Sequence, residues 1–309
     1  MTDPTATVVH DRPTPFRIWL LAIRPATLPA ALSGVVVGLG AALAVGTPFR
    51  LDTALGCLAV ALLLQVTANL ANDLSDFRKG ADTPARTGPI RVAAAGLVTE
   101  RQLEVAIGLT VALAGIVGLG LTLIGGPVLL VIGVLAVVAA LAYTGGPRPY
   151  GYRGLGEVFV FVFFGLVAVA GTAYLQAGRL DPLFIVVAIP VGALTTAILV
   201  VNNLRDIPTD AAAGKRTLAV VLGVRATRLE YAGLLFVAFI VPVILAVAGR
   251  GLPVLLPVLA LPLASPLLRT VRTFGEPRQL NLVLKGTARL ALIFSLLFAV
   301  GLAVGGVRT

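Results

Sequence analysis

Residues 69–82 read NLANDLSDFRKGAD and follow directly on an apolar segment that begins near Thr53. If the helix of that segment continues for two more turns, four oxygen-bearing side chains at positions i, i+3, i+4 and i+7 share one face. They are Asn69, Asn72, Asp73 and Asp76. Oxygen ligands grouped in this way suit Mg²⁺, which binds few carboxylates and completes its shell with water and substrate phosphates. A solvated helix end is the alternative interpretation of this stretch taken alone.

A second stretch repeats this layout. Residues 202–216, NNLRDIPTDAAAGKR, also end an apolar segment and place Asn202, Asp206 and Asp210 at i, i+4 and i+8. Pro208 can bend this face, so the helical spacing is less regular here. Two sets of amide and carboxylate ligands at the ends of membrane-length segments predict one shared metal site.

The composition identifies the class of protein around these two stretches. The chain has 309 residues, of which 58% are hydrophobic and 12% are charged, and its mean hydropathy is +1.01. Such values exclude a soluble globular protein and indicate an all-α polytopic membrane bundle. We expect a polar N-terminal arm over residues 1–17 and one membrane domain over residues 18–309. The first apolar segment is too long for a signal peptide and is expected to be retained.

Nine apolar segments are close to the length that a helix needs to cross a bilayer. They are residues 19–45, 53–71, 103–123, 128–143, 155–175, 183–203, 231–248, 252–268 and 290–304. The fourth is short. The eighth contains Pro253, Pro257, Pro262 and Pro266, so we expect it to be kinked or broken.

The cationic residues predict the orientation of these segments, because Lys and Arg collect in cytoplasmic loops. With the N-terminus inside and nine crossings, all but four of the 24 Lys and Arg residues fall on the cytoplasmic side. The exceptions are Arg50, Arg179, Arg250 and Arg308. Both acidic stretches then emerge in the cytoplasm, beneath a cap of long loops. The net charge of +10 is explained by this asymmetry and indicates no nucleic-acid partner.

Other metal chemistry has little support in the sequence. The single cysteine, Cys57, lies in an apolar run, and the single histidine, His10, lies in the polar arm. A disulfide within the chain, a thiolate site and a histidine site are therefore not expected. Cys57 is interpreted as a core residue, and oxygen ligands remain for the metal.

Three features of the spans leave alternatives open. The loop TGGPRPYGYRGLGE, residues 144–157, ends in Glu157, a carboxylate that enters a span and needs a partner or a function. The phenylalanines of the fifth span either line a groove for an apolar chain or contact lipid and other helices; they are Phe159, Phe161, Phe163 and Phe164. Gly34 and Gly38 have the spacing that allows close helix packing.

The four aspartates with the neighbouring cations Lys79, Lys215 and Arg216 have the composition of a magnesium diphosphate site. A substrate with a diphosphate head and a membrane-soluble tail fits both the site and the spans, and polyprenyl diphosphates are such molecules. The competing class is a transporter with ionisable residues in its cavity. That class expects the carboxylates near the middle of the bilayer, whereas these lie at the ends of the spans.

Three segments resemble the signature regions of the UbiA-type intramembrane aromatic prenyltransferases. They are NDLSDFRKGADTPARTGP, YTGGPRPYGYRGLGEVFVFVFFG and NNLRDIPTDAAAGKRTLAVVLG. Within this superfamily the chain is most similar to the 1,4-dihydroxy-2-naphthoate polyprenyltransferases of menaquinone biosynthesis. The resemblance covers all nine segments. It implies a nine-helix bundle with a lateral opening to lipid and a cytoplasmic cap, in the cell membrane.

The resemblance also implies roles for individual residues. Asp73, Asp76, Asp206 and Asp210 would be catalytic, and with Asn69, Asn72 and Asn202 or Asn203 they would hold Mg²⁺. The diphosphate would contact Arg78, Lys79, Lys215 and Arg216. The naphthoate would lie near Tyr143, Arg148, Tyr150, Tyr152 and Glu157, and its attack with loss of CO₂ would give demethylmenaquinone. Other acceptors, 4-hydroxybenzoate or homogentisate, are the alternatives. The superfamily often has an aspartate where this chain has Gly80, with Asp82 two residues later, which leaves the role of Asp82 open.

Overall fold

The computed structural model describes residues 13–81 and 87–306. These residues form helices and turns without any strand. The α-helices are α1 (Pro15–Ile23), α2 (Leu28–Ala44), α3 (Leu51–Arg78), α4 (Glu100–Gly125), α5 (Val128–Ala142), α6 (Gly156–Val160), α7 (Ala168–Ala177), α8 (Pro182–Ala212), α9 (Leu218–Leu245), α10 (Leu261–Thr273) and α11 (Leu280–Gly305). The predicted all-α membrane bundle is therefore confirmed.

Eight helical segments of the described chain are long and apolar enough to cross a membrane, and each corresponds to one predicted span. The ninth, α5, has only 15 residues and corresponds to the segment that the sequence marked as short. Residues 1–12 of the predicted arm and the open position Asp82 lie outside the described residues. Helix α1 already begins at Pro15, within the predicted arm.

Helix α8 forms the core of the bundle. Its most apolar stretch is 78% buried, whereas that of α4 is only 6% buried. Helices α2, α9 and α11 pack around α8. Apolar side chains such as Ile116 and Leu123 cover the exposed surface of α4, which is the pattern of a helix that faces lipid rather than protein.

Glycines bring α2 into close contact with the fifth span, as the sequence predicted. A Cβ added at Gly34 would lie 2.5 Å from Ala168 Cβ, and one added at Gly38 would lie 2.6 Å from the Val169 carbonyl oxygen. Helices in lipid gain little from burying apolar surface against each other, so close van der Waals packing has to hold them together. Any larger residue at either glycine would separate the two helices.

Two spans are irregular. The predicted break in the eighth span is confirmed, because a 3₁₀-helix over Leu252–Ala260 precedes α10. In the fifth span, Phe161–Val167 form a π-helix between α6 and α7, which the sequence did not reveal. There Gly165 packs on α8, where an added Cβ would lie 2.5 Å from Gly192 Cα. A π-helical turn changes the direction in which the following side chains point.

Loops close one end of the bundle. The loop from residue 87 to residue 99 folds over the end of α3, and its Val92 and Val98 pack with Ile18 of α1 and Leu74 of α3. A short 3₁₀-helix, Tyr150–Arg153, lies in the second loop of this cap. The cap covers the ends of α3 and α8, where the two acidic stretches lie.

Candidate active site

A cavity of about 350 Å³ lies between α2, α3, α5, the fifth span and α8. Its lining follows α3 from Cys57 to Asn72, a distance of about 22 Å at 1.5 Å per residue. Small and apolar residues line the part of the cavity near Cys57, including Val35, Leu121 and Leu175. Amides, arginines and tyrosines line the part near Asn72. The cavity is therefore polar at one end and apolar along the remainder of its length.

Two asparagines and two arginines line the polar end: Asn72, Asn202, Arg24 and Arg91. The Asn72 Oδ1 atom is buried and accepts no hydrogen bond from the described residues. Such an atom is costly to leave without a partner. The polar end can therefore accommodate a ligand that offers a hydrogen bond or a cation to this oxygen.

Asp73 holds the first loop of the cap on α3. Its carboxylate accepts hydrogen bonds from the backbone N–H groups of Val92 and Ala93, both at 3.1 Å. The guanidinium of Arg24 lies 3.6 Å from the same carboxylate. Arg24 has a φ of 55°, the only positive value at a described residue other than glycine, and this conformation costs about 1–2 kcal/mol. The ion pair and the position of Arg24 in the cavity wall account for a strained residue at this point.

Asp76 connects the two acidic stretches. Its carboxylate lies 3.0 Å from Arg91, 2.9 Å from the Lys215 ammonium and 2.7 Å from the Tyr152 hydroxyl, which donates to it. The Lys215 ammonium lies 4.0 Å from Asp210. The structure thus brings the end of α3 and the end of α8 together around one lysine.

Two ammonium groups lie near the ring of Tyr152. Lys79 and Lys215 each approach the ring centroid to 4.8 Å, a favourable cation–π distance. The Lys79 ammonium also donates to the carbonyl oxygens of Thr144 at 2.5 Å and Gly146 at 3.3 Å. Partial removal from water lowers the pKa of Lys79, and nearby Lys215 lowers it further, while Asp76 opposes both effects.

Arg205 organises the second acidic stretch. Its guanidinium donates to both carboxylate oxygens of Asp206, at 2.8 and 2.6 Å. It also donates to Asn202 at 2.8 Å and to Asn281 of α11 at 2.9 Å. Arg205 is almost fully buried, so these bonds are needed to satisfy its charge. They fix Asn202 where its amide lines the cavity.

Asn69 lies at the edge of the cavity and forms hydrogen bonds that connect helices. Its amide nitrogen donates to the Ile23 carbonyl at 2.8 Å and to the Thr27 hydroxyl at 2.9 Å. Its amide oxygen accepts a bond from Gln65 at 3.3 Å. Asn69 thus ties α3 to the turn between α1 and α2.

Aromatic rings form one wall near the polar end. Tyr143, Tyr150 and Phe159 line the cavity, and the Tyr150 ring stacks on Phe159 with 3.9 Å between centroids. Burial raises the pKa of the Tyr150 hydroxyl. The Tyr150 hydroxyl donates to the Ala139 carbonyl at 2.9 Å, so the Tyr143 hydroxyl is the one of this pair that can donate to a ligand.

Glu157 is buried beside this wall. One carboxylate oxygen accepts a bond from Asn203 at 2.8 Å, and the other accepts none from the described residues.

The phenylalanines of the fifth span have two kinds of position, in the groove and against another helix. Phe159, Phe163 and Phe164 line the cavity, whereas Phe161 packs where a Cβ at Gly192 would lie.

Five of the predicted residues line the cavity itself: Asn69, Asn72, Asn202, Tyr143 and Tyr150. The four aspartates, Lys79, Lys215 and Tyr152 form the network of ion pairs and hydrogen bonds beside it, whereas Arg78, Arg148 and Arg216 belong to neither. Arg78 is half exposed and pairs with Glu100 at 2.6 Å and with Glu104, on the outer surface of α4. Arg148 and Arg216 are exposed. The backbone N–H of Arg216 donates to the Tyr152 carbonyl at 3.1 Å, so it is the backbone of this residue that supports the cap.

Arg24, Arg91 and Arg205 are site residues that the sequence reasoning missed, because their charge is used there only to predict orientation. A signal did exist for Arg24. It interrupts an apolar stretch directly before Pro25, and a cation inside such a stretch needs a partner. Arg91 carries no comparable signal, since its role depends on how the loop folds over α3.

The described residues contain no group of three or more His, Cys, Asp or Glu side chains arranged to hold a metal ion. Oxygen atoms that could contribute to such a site come instead from mixed sources. Asn72 and Asn202 supply amide oxygens in the cavity wall, and Asp73 and Asp76 supply carboxylates bonded to the cations of that wall.

The fold and this cavity define a polytopic membrane protein that encloses an amphipathic ligand site. The model of the UbiA prenyltransferase family matches residues 31–293, and the chain belongs to this family. A Mycobacterium tuberculosis protein named 1,4-dihydroxy-2-naphthoate octaprenyltransferase is 44% identical over 290 residues, which cover 94% of this chain and 98% of that protein. An Escherichia coli protein of the same name is 40% identical over 291 residues, covering 92% and 94% of the two chains.

Solved structures support the fold. A UbiA homolog from Archaeoglobus fulgidus, solved with GPP and Mg²⁺ bound, superimposes with a TM-score of 0.67 and 15% sequence identity. The superposition covers 93% of this chain and 99% of the homolog. At this identity the likeness establishes the shared helical bundle.

Proposed function

We propose that this protein transfers a polyprenyl group from polyprenyl diphosphate to 1,4-dihydroxy-2-naphthoate, with loss of the carboxylate as CO₂, in menaquinone biosynthesis. The observation that carries the proposal is the cavity, which follows α3 for about 22 Å, with a cationic and amide-lined head at one end and an apolar lining along the remainder. It matches a donor with an anionic head and a hydrocarbon tail. The names of the relatives from M. tuberculosis and E. coli support the same reaction.

The diphosphate of the donor binds at the polar end. Arg24 and Arg91 line the cavity there and are charged at all physiological pH values. Lys79 and Lys215, which both lie near the Tyr152 ring, add positive charge beside them. As the bond between the allylic carbon and the diphosphate oxygen breaks, negative charge grows on the departing group. Fixed cations in a site shielded from water stabilise that charge.

The residues of the polar end fit Mg²⁺ as a cofactor. The observation behind this fit is the buried Asn72 Oδ1 atom, which lacks a hydrogen-bond donor among the described residues and shares the cavity wall with the amides of Asn69 and Asn202. Asn72, Asn202, Asp73, Asp76, Asp206 and Asp210 are the residues we propose for holding the ion, together with phosphate oxygens and water. When bound, the ion supplies charge stabilisation to the leaving diphosphate.

The acceptor binds against the aromatic wall. The rings of Tyr143, Tyr150 and Phe159 offer faces and edges for a planar naphthalene. The Tyr143 hydroxyl can donate a hydrogen bond to the acceptor, and Glu157 can orient an acceptor hydroxyl. A ring carbon forms a bond to the allylic carbon, and diphosphate leaves with the electron pair of the broken C–O bond. The carboxylate leaves as CO₂, and the electron pair of its bond to the ring restores the aromatic system, which gives demethylmenaquinone in its quinol form.

We propose that the reaction takes place at the cytoplasmic surface of the cell membrane. The distribution of Lys and Arg supports that orientation. Both acidic stretches lie at the capped end of the bundle, so the water-soluble naphthoate reaches the site through the cap. The donor enters from the lipid.

The test is product identification with the purified protein in lipid nanodiscs. Octaprenyl diphosphate and Mg²⁺ are supplied with 1,4-dihydroxy-2-naphthoate, 4-hydroxybenzoate or homogentisate in separate reactions. We expect a prenylated naphthoquinol and release of labelled CO₂ from carboxyl-labelled naphthoate. Product from 4-hydroxybenzoate or homogentisate alone would refute the proposed acceptor, and product from none of the three would refute the proposed activity.

A further inference from the structure

Asn281, at the beginning of α11, uses both halves of its amide in hydrogen bonds at the polar end. Its amide oxygen accepts a bond from the Arg205 guanidinium at 2.9 Å, and its amide nitrogen donates to the Thr87 carbonyl at 3.0 Å. Arg205 belongs to the second acidic stretch, whereas Thr87 belongs to the first loop of the cap. One side chain of α11 thus connects two segments that are far apart in the sequence.

The bond to Thr87 gives the first cap loop a further attachment to the helices. Elsewhere in this loop, the backbone N–H groups of Val92 and Ala93 bind the Asp73 carboxylate of α3. Arg91 lies between these two attachments and lines the cavity. A loop that is held on both sides of Arg91 has fewer conformations available to it. The two attachments therefore determine where the Arg91 guanidinium lies.

The bond to Arg205 contributes to the position of Asn202. Arg205 is only 1% exposed, so its charge has to be satisfied by partners within the protein. Its Nε and Nη2 atoms donate to Asp206, Nη2 also donates to Asn202, and Nη1 donates to Asn281. Without Asn281, Nη1 would lose this acceptor, and a buried donor without a partner is costly. The guanidinium would then have to turn, and its bond to Asn202 would weaken.

Asn281 reaches the polar end without lining the cavity. Leu284, three positions later on α11, does line it, so this end of α11 lies directly behind the cavity wall. The two bonds of Asn281 lead to two residues of that wall, Arg91 through the cap loop and Asn202 through Arg205. Asn281 can therefore affect a bound ligand only through these other residues.

We propose that Asn281 is a positioning residue that holds Arg91 and Asn202 in the geometry that binds the magnesium diphosphate head of the donor. The position requires an acceptor for Arg205 and a donor for Thr87 at the same time, and a primary amide offers both. Asn281 lies outside the three segments that resemble signature regions. This inference rests on the proposed function, because it concerns the diphosphate of that reaction.

The experiment compares Asn281→Ala and Asn281→Asp with the unaltered chain and with a control on the same helix. Aspartate keeps an oxygen toward Arg205 but lacks the N–H group that reaches Thr87. The control is Thr287→Val, which removes a buried hydrogen bond of 2.9 Å between α11 and Tyr231 of α9. Binding of magnesium pyrophosphate to each protein in lipid nanodiscs is measured by isothermal titration calorimetry, and the midpoint of thermal unfolding is recorded beside it.

We expect Asn281→Ala to weaken the binding of magnesium pyrophosphate about tenfold, because both hydrogen bonds are lost. Asn281→Asp should weaken it about threefold, because one of the two bonds is kept. In the transfer reaction, KM for the prenyl donor should rise by similar factors, while KM for the naphthoate stays within about twofold. Thr287→Val should lower the midpoint of unfolding and leave pyrophosphate binding and both KM values within about twofold.

Pyrophosphate binding that stays within about twofold in Asn281→Ala would overturn the inference. An equal rise of both KM values, or a loss of pyrophosphate binding in Thr287→Val as large as that in Asn281→Ala, would also overturn it, because a purely structural residue has such effects. If Asn281→Ala does not fold, Asn281→Asp decides by the same criteria.

Failure of the proposed function gives a different result. An unaltered chain that binds magnesium pyrophosphate but transfers no prenyl group to the naphthoate would refute the function, and the binding comparison would still test Asn281. An unaltered chain that does not bind magnesium pyrophosphate would refute both.

Discussion

At the scale of single residues, the arrangement of the polar end depends on carboxylates that form ion pairs with arginine and lysine side chains of the protein. Asp76 accepts bonds from Arg91, Lys215 and Tyr152, which come from three different loops. Its side chain is almost fully buried. Removing one partner of such a buried group leaves the others unsatisfied, and the cost is larger than that of a surface ion pair.

Replacing Asp76 by asparagine keeps its shape and removes its charge. We expect Asp76→Asn to reduce kcat/KM by about a hundredfold, because Arg91 and Lys215 lose the anion that positions them for the diphosphate. Initial rates at saturating Mg²⁺ would measure this. Asp52→Asn is the matched control, since Asp52 is exposed at the other end of α3 and pairs with Arg50. Full activity of Asp76→Asn would contradict the assignment.

The lowered pKa of Lys79 predicts a pH dependence. A lysine carries its charge below its pKa and loses it as the pH rises through that value, so a lowered pKa moves the loss to a lower pH. We expect kcat/KM for the donor to fall at alkaline pH. In Lys79→Arg, which stays charged, this fall should shift to higher pH. Identical alkaline limbs in the two proteins would show that Lys79 does not serve the diphosphate.

The residues of this site were only partly predictable from the sequence. Helical spacing placed Asn69, Asn72, Asp73 and Asp76 on one helix end, because an α-helix fixes the relation of residues on the same turn or the next. It did not reveal that Asp73 binds backbone N–H groups of a loop. Partners of that kind depend on loop folding, for which the sequence carries no periodic signal.

At the scale of elements, close packing at glycines holds the helices in place. Gly38→Ala would introduce a Cβ only 2.6 Å from the Val169 carbonyl oxygen. We expect a loss of stability of about 1–3 kcal/mol, measured as a lower midpoint of thermal unfolding in detergent. Gly120→Ala, on the exposed surface of α4, is the control and should be neutral or slightly stabilising. An unchanged midpoint for Gly38→Ala would show that α2 can move away from α7 at no cost.

The helices were predictable in number and approximate position because long apolar runs identify them without knowledge of the fold. The break before α10 followed from its prolines. The π-helix Phe161–Val167 did not follow from the sequence, because it is stabilised by what packs around it. Gly165 contacts Gly192 there, and such a contact depends on the arrangement of two spans.

At the scale of the whole molecule, the two acidic stretches meet at one end of the bundle, as an even number of crossings between them requires. Lys215 lies within 4.0 Å of both Asp76 and Asp210. The orientation of this end in the membrane stays a prediction from the distribution of charge.

Cysteine labelling would test the orientation. In a Cys57→Ala background, which removes the single native cysteine, Arg153→Cys and Arg179→Cys place one exposed thiol at each end of the bundle. We expect a membrane-impermeant maleimide to label Arg153→Cys only in inverted vesicles and Arg179→Cys only in right-side-out vesicles. The reverse pattern would place the cap outside the cell.

The ion pairs of the polar end have a consequence for how the substrates enter. Four aspartates are each paired with a cation, drawn from Arg24, Arg91, Arg205 and Lys215. Each pair is neutral as a whole, so apart from the charge of Lys79 the polar end has little net charge with which to attract a bare divalent ion or a bare pyrophosphate from solution. Either one alone would create an uncompensated charge close to the bilayer, whereas the two together nearly cancel. The species that enters should therefore be the metal salt of the prenyl donor, and its concentration, rather than that of free donor, should govern the rate.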